Sequence, residues 1–171
     1  MKVTIKQLHN EQEEAYIFCL KELVREHNPF TFLTLNDDQE DHVKEWIHKH
    51  SVHTLYKHVL PHMTYWVLLD NQPIGIATLK KELSQALYAD SGHIGICIMQ
   101  NFRKQGYATL ALQALIQEAH TQYHMEDILL CCEYNNDASR KLCERVGGII
   151  KHEDSFVHYW ISQHIQSIQD L

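Results

Sequence analysis

The chain has 171 residues, 44% hydrophobic and 22% charged, with only 6 Gly and 3 Pro; this is ordinary globular usage for one domain and excludes a disordered chain, a collagen-like repeat and a coiled coil. Lys and Arg number 15 against 22 Asp and Glu, a formal charge of −7 with His neutral, so the basic face that nucleic-acid binding needs is not expected. No apolar run reaches the length of a membrane span and Met1 to Leu8 holds no apolar signal core, while the 5 Cys, odd in number and without Cys-x-x-Cys spacing, fit reduced, buried thiols in a cytoplasmic protein.

Val3, Ile5 and Leu8 alternate as a short strand. Asn10 with Glu13 reads as a capping box for a helix that carries Ala15, Phe18, Cys19, Leu23 and Val24 on its apolar side to about Glu26, and Asn28-Pro29 ends it. Asn36 to Asp41 suits a second helix start, with Val43, Trp46, Ile47 and Leu55 buried, and Pro61 closes this part. Met63 to Leu69 and Ile74 to Leu79 flank the turn Asp70-Asn71-Gln72-Pro73 as a hairpin; Leu83 to Asp90 reads as loop. His93 to Met99 is almost continuously apolar, the mark of a strand buried on both faces. Gly106 to Tyr123 is the clearest helix, with Ala108, Ala111, Leu112, Leu115 and Ala119 in one stripe. Ile128 to Cys132 is a second doubly buried strand, Asn136 to Val146 a helix stopped by Gly147, and Ile149-Ile150 and Phe156 to Ile161 are closing strands. Strand-helix-strand units predict at least one parallel crossover. No repeat or linker divides residues 1–171: a strand and helices occupy 1–62, the sheet core 63–161 and a tail 162–171.

Chemistry concentrates where the strand Gly95-Ile96-Cys97-Ile98-Met99 runs through Gln100-Asn101-Phe102-Arg103-Lys104-Gln105 into the helix opened by Gly106. The first turn of a helix has unpaired amides and a partial positive charge. Gly106 and Ala108 are small enough for a ligand to approach the backbone, and Arg103 and Lys104 add two cations. The pattern points to an anion site suited to a diphosphate; its plainer alternative is a solvated turn. The G-x-x-x-x-G-K-[ST] and G-x-G-x-x-G loops are absent.

Arg103-Lys104-Gln105-Gly106-Tyr107-Ala108 resembles the R/Q-x-x-G-x-G/A signature of the GNAT superfamily of N-acetyltransferases, and Asn136 to Gly148 resembles its N-x-x-S/A-x-x-L-Y-E-K-x-G-F segment. The likeness is strongest over 93–161, where His93-Ile94-Gly95, Gly147-Gly148 and Tyr159-Trp160-Ile161 are similar to a bacterial branch of small-molecule acetyltransferases. The resemblance implies an α+β (mixed α/β) fold: a twisted, mostly antiparallel sheet of about six or seven strands with a splayed parallel central pair, flanked by about four helices. It implies acetyl-CoA as cosubstrate and no metal. Arg103, Lys104, Gln105, Gly106, Tyr107 and Ala108 would hold the diphosphate, Ile96, Cys97 and Ile98 would line the pantetheine arm, and Asn136 and Ser139 would complete the cofactor site. The Ile98 amide would polarise the thioester carbonyl. The acceptor is a primary amine of a small molecule or peptide, shaped by 1–62; no nucleic acid or membrane is implied. The state is monomer or homodimer, with the Tyr159-Trp160-Ile161 strand available for pairing between subunits.

An amine of pKa near 10.4 is charged at pH 7, and freeing its lone pair costs about 4–5 kcal/mol. Glu133 is the first candidate base and His93 the second; their plainer roles are a solvated strand-end charge and a hydrogen-bonded imidazole. Cys143 stands where the family often has the Tyr that protonates the leaving thiolate. It is either that acid, its thiol near 8.5, or core; Tyr134 is a further donor. The substitution keeps open a non-catalytic acyl-CoA-binding or sensor module on the same fold, and a nucleotide-binding domain of another kind is a third reading. Gln100 stands where the family often has Pro. Asp37, Asp38, Glu40 and Asp41 either attract a cationic amine or complement a helix dipole. His48, His50, His53, His58 and His62 lack the partners of a metal site. Trp46, Tyr56, Tyr65 and Trp66 suit core or pocket wall.

Overall fold

The computed structural model describes residues 1–11, 13–26, 38–51 and 62–163. Asn28-Pro29, Asn36, Asp37, His53, Leu55, Tyr56, His58 and Pro61 lie outside them. In chain order the elements are β1 (Val3–Gln7), α1 (Glu14–Arg25), α2 (Glu40–Ser51), β2 (His62–Leu69), β3 (Gln72–Lys80), α3 (Gln85–Asp90), β4 (Ile94–Ile98), a 3-10 turn (Gln100–Phe102), α4 (Tyr107–Tyr123), β5 (Asp127–Glu133), α5 (Asp137–Arg145), β6 (Ile149–Glu153) and β7 (Phe156–Ser162). This is the expected α+β architecture.

The strands form two sheets, in the orders β1-β2-β3-β4 and β5-β7-β6, and every ladder among the described residues is antiparallel. β2 and β3 are buried along nearly their whole length because helices cover both faces. Adjacent residues on β2 show this, since successive strand side chains point to opposite sides: the Tyr65 hydroxyl donates to Glu118 Oε1 of α4 at 2.7 Å, while the Trp66 indole N–H donates to Glu11 at 3.0 Å and packs edge-on against Tyr16 of α1. Asp70 and Asn71 both take positive φ, 46° and 70°, the backbone of a tight hairpin turn matched to strand twist.

The expected crossover pair, β4 and β5, joined through α4, shares no ladder. The two sheets meet at one isolated antiparallel bridge, Gly92 to Leu130. β7 lies between β5 and β6, so both of its edges are taken within the chain; Tyr159-Trp160-Ile161 has no free edge to offer a second subunit.

Three local expectations are corrected. The capping box does not form: α1 starts at Glu14 with Glu13 as cap residue and no side-chain cap bond. The reason is Glu11, whose carboxylate accepts from the Trp66 indole and the His9 amide and pairs with Lys6 at 3.0 Å, drawing the preceding turn into the core. The buried side of α1 is Ile17, Cys19, Leu20 and Leu23, whereas Ala15 is exposed and Phe18 is 53% exposed. Gln85–Asp90 is a helix rather than loop, capped by Ser84, whose hydroxyl accepts from the Leu87 amide at 3.3 Å. All 5 cysteines are free thiols, and among the described residues no helix is long and apolar enough to cross a membrane.

Candidate active site

The open edge of β4 is set by register. Lys80 N–H donates to His93 C=O at 2.8 Å and Met99 N–H to Ile74 C=O at 2.9 Å. Antiparallel pairs alternate between hydrogen-bonded and non-bonded, so Gly95 and Cys97 turn their backbone groups to β3, as do the His93 carbonyl and the Met99 amide. Ile94, Ile96 and Ile98 turn theirs away, and β3 is the one strand paired with β4 among the described residues. Ile96 and Ile98 therefore present main-chain groups along that edge, apart from the Ile98 carbonyl, which accepts from Arg103 Nε. The Cys97 amide faces Ile76 instead, so of the three expected residues it offers no main-chain donor there.

His93 and Leu129 close the base of the gap. His93 N–H donates to Leu129 C=O at 2.8 Å, and Leu129 N–H donates to His93 Nδ1 at 2.9 Å. Gly92 permits this approach: at φ +67° it is in the left-handed region, and a Cβ there would lie 2.6 Å from the Leu129 carbonyl oxygen. Because the Leu129 amide is a donor, Nδ1 must be the acceptor, and the neutral ring carries its proton on Nε2. Burial holds the His93 pKa below its ordinary value, and nearby Lys80 pushes it the same way. A ring fixed in this way has Nδ1 committed to the Leu129 amide, which supports the plainer role of a hydrogen-bonded imidazole over that of the base.

Beyond Met99 the chain makes one 3-10 turn and then two left-handed residues, Lys104 at φ 60° and Gly106 at φ 85°. The reversals turn the following amides outward. Among the described residues, no backbone carbonyl accepts from the amides of Lys104, Gln105, Gly106, Tyr107 or Ala108. Nothing among the described residues lies within 4 Å of where a Gly106 Cβ would stand. A row of unpaired donors at the positive end of a 17-residue helix, facing open space, is the arrangement that binds phosphate.

Arg103 is not a free cation at this spot. Its Nε donates to Ile98 C=O at 2.7 Å and its Nη2 pairs with Glu26 at the end of α1, whose other oxygen accepts the Gln100 amide at 2.6 Å. Lys104 is exposed and forms no ion pair among the described residues. Gln105 donates its side-chain amide to Asn101 C=O at 3.0 Å. Glu26 was invisible to motif reading. Its one signal is placement: a carboxylate at a helix C-terminus opposes the dipole and calls for a specific partner.

Asn136 caps α5, its Oδ1 accepting from the Ser139 amide at 3.1 Å. Glu133 ends β5 with an exposed side chain. Cys143 is 4% exposed and packs in the core; its neighbour Cys132 and its burial push its thiol up, which supports the core alternative over that of a proton donor. Tyr134 is half exposed beneath the Arg140 guanidinium, 4.9 Å from the ring centre. Of the acidic run before α2, Asp38 pairs with Arg25 and Glu40 with Lys44, so these carboxylates already have partners. A separate groove of about 340 Å³, lined by Asp127, Ile149, Lys151, Trp160 and Ser162, lies at the start of β5, at the other end of that strand from Glu133; it brings together no two of the expected site residues.

Comparison with known proteins agrees with this geometry. Residues 2–149 match the family model described as acetyltransferase (GNAT) domain. Over 68 residues the chain is 32% identical to the uncharacterized N-acetyltransferase YjdG of Bacillus subtilis (strain 168), covering 40% of each protein's length. It is similar in fold to the GNAT-family acetyltransferase of Bacillus anthracis (TM-score 0.70, 15% identity, 96% of both chains). It is also similar in fold to the spermidine N-acetyltransferase of Vibrio cholerae solved with CoA and spermine (TM-score 0.66, 16% identity, 95% of this chain and 96% of that one). With the family model covering most of its length, the chain belongs to the GNAT acetyltransferase family.

Proposed function

We propose that the protein is an acetyl-CoA-dependent N-acetyltransferase that acetylates a primary amine of a small molecule or peptide. The observation that carries this is the row of amides from Lys104 to Ala108 that, among the described residues, are unpaired and face open space. These donors, with Lys104, hold the diphosphate; the charge comes from helix and backbone rather than from Arg103. The outward groups of Ile96 and Ile98 take the pantetheine arm as an added strand would, and in this reading Asn136 and Ser139 at the start of α5 complete the cofactor site. The Ile98 carbonyl is occupied by Arg103, which leaves the Ile98 amide to donate to the thioester oxygen as negative charge develops there.

The neutral amine attacks the thioester carbon, the tetrahedral intermediate collapses, and the carbon–sulfur bond breaks to give amide and thiolate. The amine's surplus proton passes to Glu133 through water and on to solvent; the thiolate is reprotonated from solvent, since Cys143 is buried with its pKa raised. The V. cholerae neighbour with spermine makes polyamines the first amines to try. The test is thiol release from acetyl-CoA with a panel of polyamines, amino acids, aminoglycosides and peptides. Turnover with at least one amine is expected, reduced about 100-fold or more in Glu133→Gln. Full turnover in that variant would remove Glu133 from the mechanism.

A second reading, a non-catalytic acyl-CoA-binding module, is favoured by the buried Cys143 at the position where a hydroxyl donor is usual. It predicts tight acetyl-CoA binding with no thiol release across the panel.

A further inference from the structure

Glu26 is the C-cap residue of α1, and both of its carboxylate oxygens are spent on the loop after β4, one on the Gln100 amide and one on Arg103. Its side chain is only 13% exposed, against 41% for Arg103. The loop carries two left-handed residues within three positions, and Lys104 alone costs about 1–2 kcal/mol in that region. Left to itself, such a segment relaxes and its amides turn inward. Among the described residues it is held by Met99 N–H to Ile74, Phe102 N–H to Met99, Arg103 N–H to Gln100, Gln100 N–H to Glu26, Arg103 Nε to Ile98, Arg103 Nη2 to Glu26 and the Gln105 side chain to Asn101. Of these, the two bonds to Glu26 are the ones made with a side chain from another helix or strand, and that carboxylate fixes the guanidinium that bonds Ile98.

We propose that Glu26 is a positioning residue for the cofactor site: it locks Gln100 and Arg103 so that the amides from Lys104 to Ala108 stay aimed at the diphosphate. This rests on the cofactor reading above and deepens it. The brace makes a prediction opposite in sign to simple charge. Coulomb attraction says that removing a carboxylate beside an anion site strengthens anion binding; the brace says that removing it weakens binding. It separates Arg103 from a phosphate ligand as well. A lysine keeps the positive charge but has no planar fork to span Glu26 and Ile98 together, so Arg103→Lys is not conservative here.

The experiment is calorimetric titration of coenzyme A into the wild type, Glu26→Gln, Arg103→Lys and the double variant, with amide hydrogen exchange and thermal melts on each. Each single change is expected to weaken CoA about tenfold or more, and the double variant to be no weaker than the worse single. Exchange should quicken at Gln100 to Arg103 alone, with the melting temperature held; a change that merely loosened the fold would quicken exchange throughout. Unchanged or tighter CoA binding in Glu26→Gln overturns the proposal, as does wild-type affinity in Arg103→Lys. No heat with the wild type would instead overturn the cofactor site itself, and the brace with it.

Discussion

His93 sits at the base of the gap between the sheets with Nδ1 committed to the Leu129 amide, and its pKa is held below its ordinary value chiefly by burial. The unfolded chain therefore takes up a proton near pH 6.5, before the folded one does. The sign follows from linkage: this contribution to stability is full above about pH 6.5 and is lost as pH falls through the folded value. His50, also depressed mainly by burial, adds loss of the same sign. The melting temperature should fall between pH 7 and pH 5, and His93→Asn, whose amide oxygen can accept the Leu129 N–H without titrating, should flatten part of that fall. An identical pH profile in the variant would show that His93 does not contribute. Glu11 governs a more acidic window. Burial alone would raise its pKa, but bonds from the Trp66 indole, Lys6 and nearby amides bring it below the usual carboxylate value. Its contribution is full above about pH 4.5 and lost below it. Glu11→Gln keeps an acceptor for Trp66 but leaves Lys6 unpaired; denaturant unfolding at pH 7 should show a loss of about 1–3 kcal/mol.

Among the elements, the bridge before β4 is the place where backbone geometry leaves no slack. Gly92→Ala puts a Cβ 2.6 Å from the Leu129 carbonyl oxygen at a φ of +67°. It should lower stability by about 1–3 kcal/mol, a drop of several degrees in Tm; an unchanged melt would mean that β4 and β5 close by another route. What the sequence showed and did not show about these elements follows from range. The stripe of α4, the hairpin of β2 and β3, and the doubly buried β4 and β5 are periodic or continuous signals carried by neighbours, and each stands within a few residues of where it was read. The loop at Arg103 to Ala108 was legible for the same reason: a glycine before a long helix is a local demand of the backbone. The six residues of α3 are too few to show a period, and their helix is held by Tyr88 packing on His158 and Trp160. Arg103 looked like a ligand cation because its partner lies 77 positions away. The motif left Cys143 open between proton donor and core, and the fold shows the thiol buried.

Among the described residues, two antiparallel sheets part beyond His93 and Leu129, leaving the outer edge of β4 unpaired, while α4 opens beside it with its first amides bare. The chain's formal charge of −7 repels a polyanion at long range, so under the proposed function a diphosphate would be held by short-range donors at this one place rather than by a basic surface. A Gly106→Asp change fills the open space and adds a negative charge there; calorimetry should show coenzyme A binding abolished while the fold persists. The direct measurement of the claim is a titration of labelled protein with coenzyme A, following each backbone amide by NMR. The shifts should be largest at Lys104, Gln105, Gly106, Tyr107 and Ala108, continuing to Ile96 and Ile98. Shifts that spare these amides and gather instead at Trp160, Ile149 and Lys151 would place the ligand in the other groove and contradict the account.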